Sequence, residues 1–310
     1  MTVRSLDFLD LPLLPRYRRD VLPLDGARLL TRGNPLGAAA LLSYLDPRRH
    51  IYTGMATENG LALMGQIVLD ENETSARMTF MAPASRINGL TLPLLEHLSV
   101  QAGEWGAFYL LAEVNEDHPP FKSLRQAGFA MYASQRVWKL NSLAGEAGGD
   151  SWREAEEIDW PAVQGLHGQI VPALLQPVEN LPRQARGWVC RPEGSLQAYV
   201  AVSSGPQGIW IQPLVPPESG CGPERLAELI HAVADGRNRP VYVCVRSYQA
   251  WLESVLEDFG AEPGPQQALM VKRLGLLKRA EEAVLAAPEN AIAAKPAAPV
   301  ARASTEKPNS

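Results

Sequence analysis

The pattern of apolar and polar positions divides residues 50–274 into two passes through one series of elements. In the first pass, HIYTGMATENGLALMGQIVLD (50–70) reads as two strands around Asn59-Gly60, a pair that tolerates positive φ and so marks a tight hairpin. ARMTFMAP (76–83) is a third strand, and LPLLEHLSVQA (92–102) is a helix. AFYLLAEV (107–114) is an apolar run fit for a buried strand. A helix around FKSLRQA, the pair Gly128-Phe129 and a last strand ASQRVWKL (133–140) follow. In the second pass, ARGWVCRPEGSLQAYVAVSS (185–204) is again strand, turn at Glu193-Gly194, and strand. GIWIQPLV (208–215) is the third strand, PERLAELIHAVAD a helix, and PVYVCVR (240–246) the buried strand. YQAWLESVLEDFGAE is the next helix, and QALMVKRL (267–274) closes the series.

Three landmarks repeat at nearly one offset. Gly60 and Gly194 are 134 residues apart, Gly89 and Gly220 131, and Gly128 and Gly260 132. A fixed period of this kind predicts two copies of one α+β unit, at 1–140 and 152–275. The Gly- and Ser-rich NSLAGEAGGDS (141–151) reads as the linker between them. Residues 278–310 are rich in Ala, Pro and small polar residues, cannot bury enough apolar surface to offset chain entropy, and are predicted as a disordered tail. LGAAALLSYL (36–45) is about half the roughly 20 residues that a bilayer span needs, and reads as a buried helix.

Composition narrows the classes. The 310 residues carry a formal net charge of -5 with the basic residues scattered, which disfavours nucleic acid as a partner. Cys190, Cys221 and Cys244 are too few and too far apart for a disulfide framework or a zinc site, and read as free thiols. The N-terminus MTVRSLDFLDL carries acids and lacks a signal-peptide core. The expectation is a cytoplasmic protein without nucleic acid, membrane or metal, either a monomer or a homodimer.

Met81, Pro83, Arg86, Gly89 and Thr91 fall in the order of an apolar strand end, a proline, a basic residue and a glycine-bearing helix entry. This stretch resembles the acyl-CoA loop of the GNAT (GCN5-related N-acetyltransferase) superfamily, whose usual form has Gly or Ala where Thr91 stands. The order of elements around it is similar as well. The resemblance implies an α+β fold of two tandem GNAT-like domains, each a mixed, mostly antiparallel sheet flanked by helices, with a degenerate second copy. It also implies acetyl-CoA as cosubstrate and acetyl transfer to a small-molecule or peptide amine. Thr79, Phe80 and Met81 would offer a strand edge to the acyl-pantetheine arm, and Arg86, Ile87, Asn88, Gly89, Leu90 and Thr91 would cradle the pyrophosphate. A helix start presents unpaired N–H groups and partial positive charge to such an anion. The plainer reading of the loop is a helix entry with Arg86 solvated.

The family's proton-transfer residues are not all matched. A tyrosine four residues before the Gly of Gly-Phe is common there; Leu124 and Leu256 hold that place here. A coenzyme-binding asparagine is replaced by Asp117 and Gln249. Glu113 at the end of the buried strand, His118 just beyond it, and Tyr132 are the candidate acids and bases, each with a bland alternative as strand end, surface loop or hydrophobic wall. In the second copy Pro217 stands where Arg or Gln would be, Glu218 would put negative charge beside a phosphate, and Trp188, Trp210 and Trp251 read as core or interface. The two functions carried forward are an acetyl-CoA-dependent N-acetyltransferase and a binding or regulatory module that keeps the fold without the reaction.

Overall fold

The computed structural model describes residues 1–37, 49–87, 89–140, 151–181, 186–192, 194–219, 223–233 and 239–274. The linker at 141–150, most of the helix read at 36–45, Asn88, Glu193, Gly220, Cys221, Gly222 and the tail lie outside the described residues.

Asn59 and Gly60 take φ of 49° and 77°, as a two-residue hairpin turn requires. They join β3 (Arg49–Glu58) to β4 (Leu61–Asp70), which pair antiparallel along their whole length. Before them come β1 (Thr2–Ser5), the short helix α1 (Leu14–Tyr17), β2 (Leu22–Pro23) and α2 (Gly26–Arg32), none of which the sequence pattern had marked. After them come β5 (Ser75–Ala82), α3 (Thr91–Glu104), β6 (Tyr109–Asn115), α4 (Pro119–Gln126) and β7 (Ala130–Leu140). The second half consists of β8 (Trp152–Glu154), α5 (Trp160–Ile170), β9 (Arg186–Cys190), β10 (Ala198–Ser204) and β11 (Ile209–Leu214). It ends with α6 (Pro223–Val233), β12 (Val241–Arg246), α7 (Trp251–Asp258) and β13 (Glu262–Arg273). No helix among the described residues is long and apolar enough to cross a membrane.

The strands form one 13-stranded mixed sheet, in the order β1-β3-β4-β5-β6-β13-β7-β12-β11-β10-β9-β8, with β2 attached to β5. Among the described residues only β5–β6 and β11–β12 are parallel, and helices flank the sheet. The last strand of each half lies in the other half. β13 is antiparallel to β6 from Gln267–Asn115 to Arg273–Tyr109, and β7 is antiparallel to β12 from Leu140–Val241 to Gln135–Arg246. Side chains follow the exchange. Ala268 and Met270 of β13 are fully buried in the first half's core beside Leu94, Leu110 and Phe129, while Trp138 and Leu140 of β7 pack into the second half's core.

Close approaches explain several glycines. Gly54 and Gly65 face one another across β3 and β4 beneath α3, and a Cβ on Gly65 would come within 2.9 Å of Leu98 Cδ1. The end of α2 abuts the β10–β11 turn, where Gln207 N donates to Thr31 O at 2.9 Å. β13 starts five residues earlier than the apolar pattern alone indicates, passing through Pro263-Gly264-Pro265 with a register shift between Pro263 and Gln266. A Cβ on Gly264 would lie 2.8 Å from Val137 O, so this bulge packs against β7 and tolerates only glycine there.

Candidate functional site

β5 and β6 run side by side only from Ser75–Tyr109 to Arg77–Leu111, and then part. Thr79 is the extra residue in the ladder from β5 to β4, since Gln66 pairs with Phe80 and Ile67 with Met78. The Thr79 hydroxyl donates to Gln66 Oε1 at 2.7 Å inside the sheet. The gap beyond Arg77 is filled by the chain's own residues 20–26. Leu22 pairs with Met81 and Pro23 with Phe80. Leu24 N donates to Thr79 O at 2.9 Å, and Leu24 O accepts from Glu113 N at 2.9 Å, so this strap bonds to both diverging strands. Asp20 anchors its start by accepting from Ala84 N at 2.9 Å and Ser85 N at 3.1 Å. Leu24 is 1% exposed, packed in the first half's core. The edge that Thr79, Phe80 and Met81 were expected to offer to an acyl arm is therefore bonded to this strap.

The second half treats its gap differently. β11 and β12 part after Ile211–Val243. There the buried Gln249 side chain accepts from Val215 N at 2.9 Å and donates to Pro213 O at 2.8 Å, closing the β11 edge with one amide.

Beyond β5 the chain turns through Pro83 and a single 3-10 turn at Ala84–Arg86 before α3. A Cβ on Gly89 would meet nothing within 4 Å, so this face of the loop is open. Its φ is not left-handed, and neither turn geometry nor packing explains the glycine. Leu90 precedes the helix without a side-chain cap. Thr91 is 1% exposed, and its Oγ1 has no hydrogen-bond partner among the described residues. Pro93 sits in the first helical turn, where its missing N–H costs little. Arg86 and Ile87 are half-buried. Open space and an orphaned hydroxyl fit an anion at this loop. The gap along β5 fits an acyl arm only once residues 20–24 leave it.

A cavity of about 510 Å³ lies beside the gap. α2 contributes Leu29 and Leu30 to its wall, the end of β6 contributes Glu113 and Asn115, and β7, β12 and β13 contribute Val137, Tyr242 and the Pro263-Gly264-Pro265 bulge. Half of the wall thus comes from the exchanged strand and the second half. Glu113 and His118 both line the cavity, with His118 exposed just before α4. Tyr132 is half-buried and does not line it. The position of the family tyrosine, Leu124, is fully buried in the core, and Asp117 is exposed.

Glu113 belongs to a buried polar network absent from the sequence reading. Its Oε2 accepts from Gly26 N at 2.8 Å and from Gln135 Nε2 at 3.1 Å. A Cβ on Gly26 would lie 2.9 Å from that oxygen, so glycine admits the carboxylate to the start of α2. Gln135 Nε2 also donates to Gln267 Oε1 at 2.9 Å, and Gln135 Oε1 accepts from the Arg246 guanidinium and from the Cys244 thiol. Arg246 pairs with Glu179 at 3.2 Å. Burial and then Asp25 push Glu113 above the usual carboxylate range, against the pull of Arg246, Arg77 and the Gly26 N–H. Burial and Glu179 raise the Tyr132 hydroxyl, which stays protonated. One sequence signal marks part of this network: Arg246 is a charge closing the apolar run VYVCV.

No protein-family model matches the chain, nor does any curated protein. Solved structures do. A GCN5-related N-acetyltransferase from Sphaerobacter thermophilus aligns over 88% of this chain and 95% of its own, with TM-score 0.54 and 13% identity. A tandem GNAT protein from the clavulanic acid biosynthesis pathway, solved without AcCoA, aligns over 89% of this chain and 99% of its own, with TM-score 0.51 and 14% identity. At such identities the likeness is one of fold. It agrees with the repeated series of elements, the parting of β5 from β6 and the loop before α3: this chain has the fold of the GCN5-related N-acetyltransferases, in tandem.

Proposed function

We propose that this protein is an acyl-CoA-dependent N-acyltransferase, with acetyl-CoA as donor and a small-molecule or peptide amine as acceptor. The observation that carries this reading is the place of Glu113. Glu113 lines the cavity where β5 and β6 part, and its environment raises its proton affinity. A carboxylate so tuned suits a general base that relieves an incoming ammonium of its proton. In this reading the cavity seats the amine. Arg86, Ile87, Asn88, Gly89, Leu90 and Thr91 hold the pyrophosphate, and Thr79 to Met81 line the acyl arm after the strap has moved. With Leu124 buried, protonation of the leaving thiolate falls to His118 at the cavity or to the protonated Tyr132.

A second reading, a binding or regulatory module that keeps the fold without the reaction, is favoured by the strap, which bonds to both strands where the acyl arm would lie. Calorimetric titration of acetyl-CoA into the full chain, beside 3′-dephospho-CoA, separates the two. Acyl transfer expects micromolar binding at one site per chain, weakened about tenfold or more by Arg86→Glu without unfolding, because like charge then faces the phosphates. No binding at high micromolar protein leaves the module.

A further inference from the structure

Buried carboxylates are ordinarily matched by a cation or by hydrogen bonds to both oxygens. Asp25 has Arg28 at 3.0 Å, Asp159 has Arg153 at 2.7 Å, and Glu179 has Arg246 at 3.2 Å. Glu113 is different. It is 8% exposed, yet among the described residues no Lys, Arg or His nitrogen comes within ion-pair distance of it. Among the described residues both of its hydrogen bonds fall on Oε2, so Oε1 is the oxygen left for a ligand of the cavity that the residue lines. Arg246 and Arg77 act on it only from beyond ion-pair distance, and the lysine in the cavity wall does not pair with it either. Lys139 stands 3.9 Å from Glu262, and both side chains are well exposed, at 40% and 65%.

We propose that this cavity selects a monocationic amine with a compact apolar body, its ammonium on Glu113 Oε1 and its body against Leu30, Val137 and Tyr242. Three features set the selection. The lone oxygen asks for an N–H donor carrying positive charge, since charge-assisted bonds are the strong ones in a dry site. The remaining wall is largely aliphatic or aromatic, with Asn115, His118, Lys139, Glu262 and Gln267 as its other polar groups, so an apolar body meets more of it than a second ammonium or a hydroxyl would. At about 510 Å³ the space is of the size that encloses a small ligand. Its wall includes the Pro263-Gly264-Pro265 bulge, which packs closely on Val137 O. The second half thus has a defined part: through β13 it supplies the wall that limits the amine's body. The inference rests on the acyl-transfer reading for what becomes of the amine, but not for its binding.

The test is therefore run on the full chain without acetyl-CoA. Titration calorimetry compares 2-phenylethylamine with 3-phenylpropionate (same body, opposite charge), ethanolamine (charge without body) and 1,4-diaminobutane (two charges). The expected result is one phenylethylamine site per chain, with the other three at least about tenfold weaker. Glu113→Gln should weaken phenylethylamine by about tenfold or more. Leu30→Trp should do the same by filling the cavity without touching the carboxylate, so a misfolded Glu113 variant does not end the test. The proposal is overturned if phenylethylamine fails to bind at millimolar concentration. It is equally overturned if phenylpropionate binds as well, or if both variants, folded by circular dichroism, bind like the wild type. A failure of acyl transfer alone would leave all of these outcomes unchanged.

Discussion

Two charged side chains on otherwise apolar strands show how differently one fold treats charge. Arg246 is 4% exposed and paired: Glu179 takes its Nε, and Gln135 Oε1 takes another N–H. Its charge does not activate the neighbouring thiol, because burial dominates and pushes Cys244 up to about 12. Removing one member of such a pair strands the other. Arg246→Met should cost about 3–5 kcal/mol in urea unfolding, because Glu179, 6% exposed, would keep an uncompensated charge. Arg246→Met combined with Glu179→Leu should lose markedly less, since neither charge then remains buried. Equal losses in the single and the double variant would mean that the guanidinium's other contacts, and not the ion pair, hold this region. Arg246 and Glu113 were visible in the sequence as charges at the ends of apolar runs. Their partners were not, because Glu179 and Gln135 lie 67 and 111 residues from Arg246 and carry no local pattern.

Among the elements, the strap is the least legible and the most consequential. The hairpin at Asn59-Gly60, the helix after the loop and the buried strands were readable because period and turn chemistry are local. β2 is two residues long, has no period to read, and finds its partner on β5 about sixty residues away. The polar end of the strap is also its most accessible part. Asp20 is only half-buried and holds Ser85 through N and Oγ, whereas Leu24 is held by the core. Asp20→Ala removes the side-chain bonds but leaves Leu24 in place. Each such bond contributes about 0.5–1.5 kcal/mol net, and a ligand that binds only the strap-free state gains what the closed state loses. Acetyl-CoA affinity should therefore rise about three- to tenfold in this variant, read by the same calorimetry, with the unfolding midpoint lowered by about 2–4 °C, as a loss of about 1 kcal/mol implies. An unchanged affinity would show that the strap stays on β5 when the cofactor binds, and that the arm lies elsewhere.

At the scale of the molecule, the repeat was legible and the exchange was not, for one reason. β7 and β13 occupy equivalent places in the two passes, with similar alternation, so either pairing satisfies the pattern of apolar positions. What decides it is where their side chains are buried, and that is a long-range fact: Met270 and Ala268 complete the first core, and Trp138 and Leu140 the second. Neither core is whole without a strand from the other half, and the Glu113–Gln135–Arg246 network crosses the same seam. Opening one half would strip β6 or β12 of an edge partner, leaving backbone N–H and C=O groups of a buried strand unpaired, each at a cost comparable to a lost hydrogen bond. Two beads on a linker would melt separately, whereas exchanged strands tie the two melting events together. The full chain should thus unfold in a single calorimetric transition whose van't Hoff and calorimetric enthalpies agree. Met270→Asp, made in the second pass of the sequence, should lower the whole transition rather than split it, because the buried charge falls in the first core. Two resolved transitions in the wild type, or a Met270 variant in which one half keeps its original melting temperature, would show that the seam couples the cores too weakly to make them one cooperative unit.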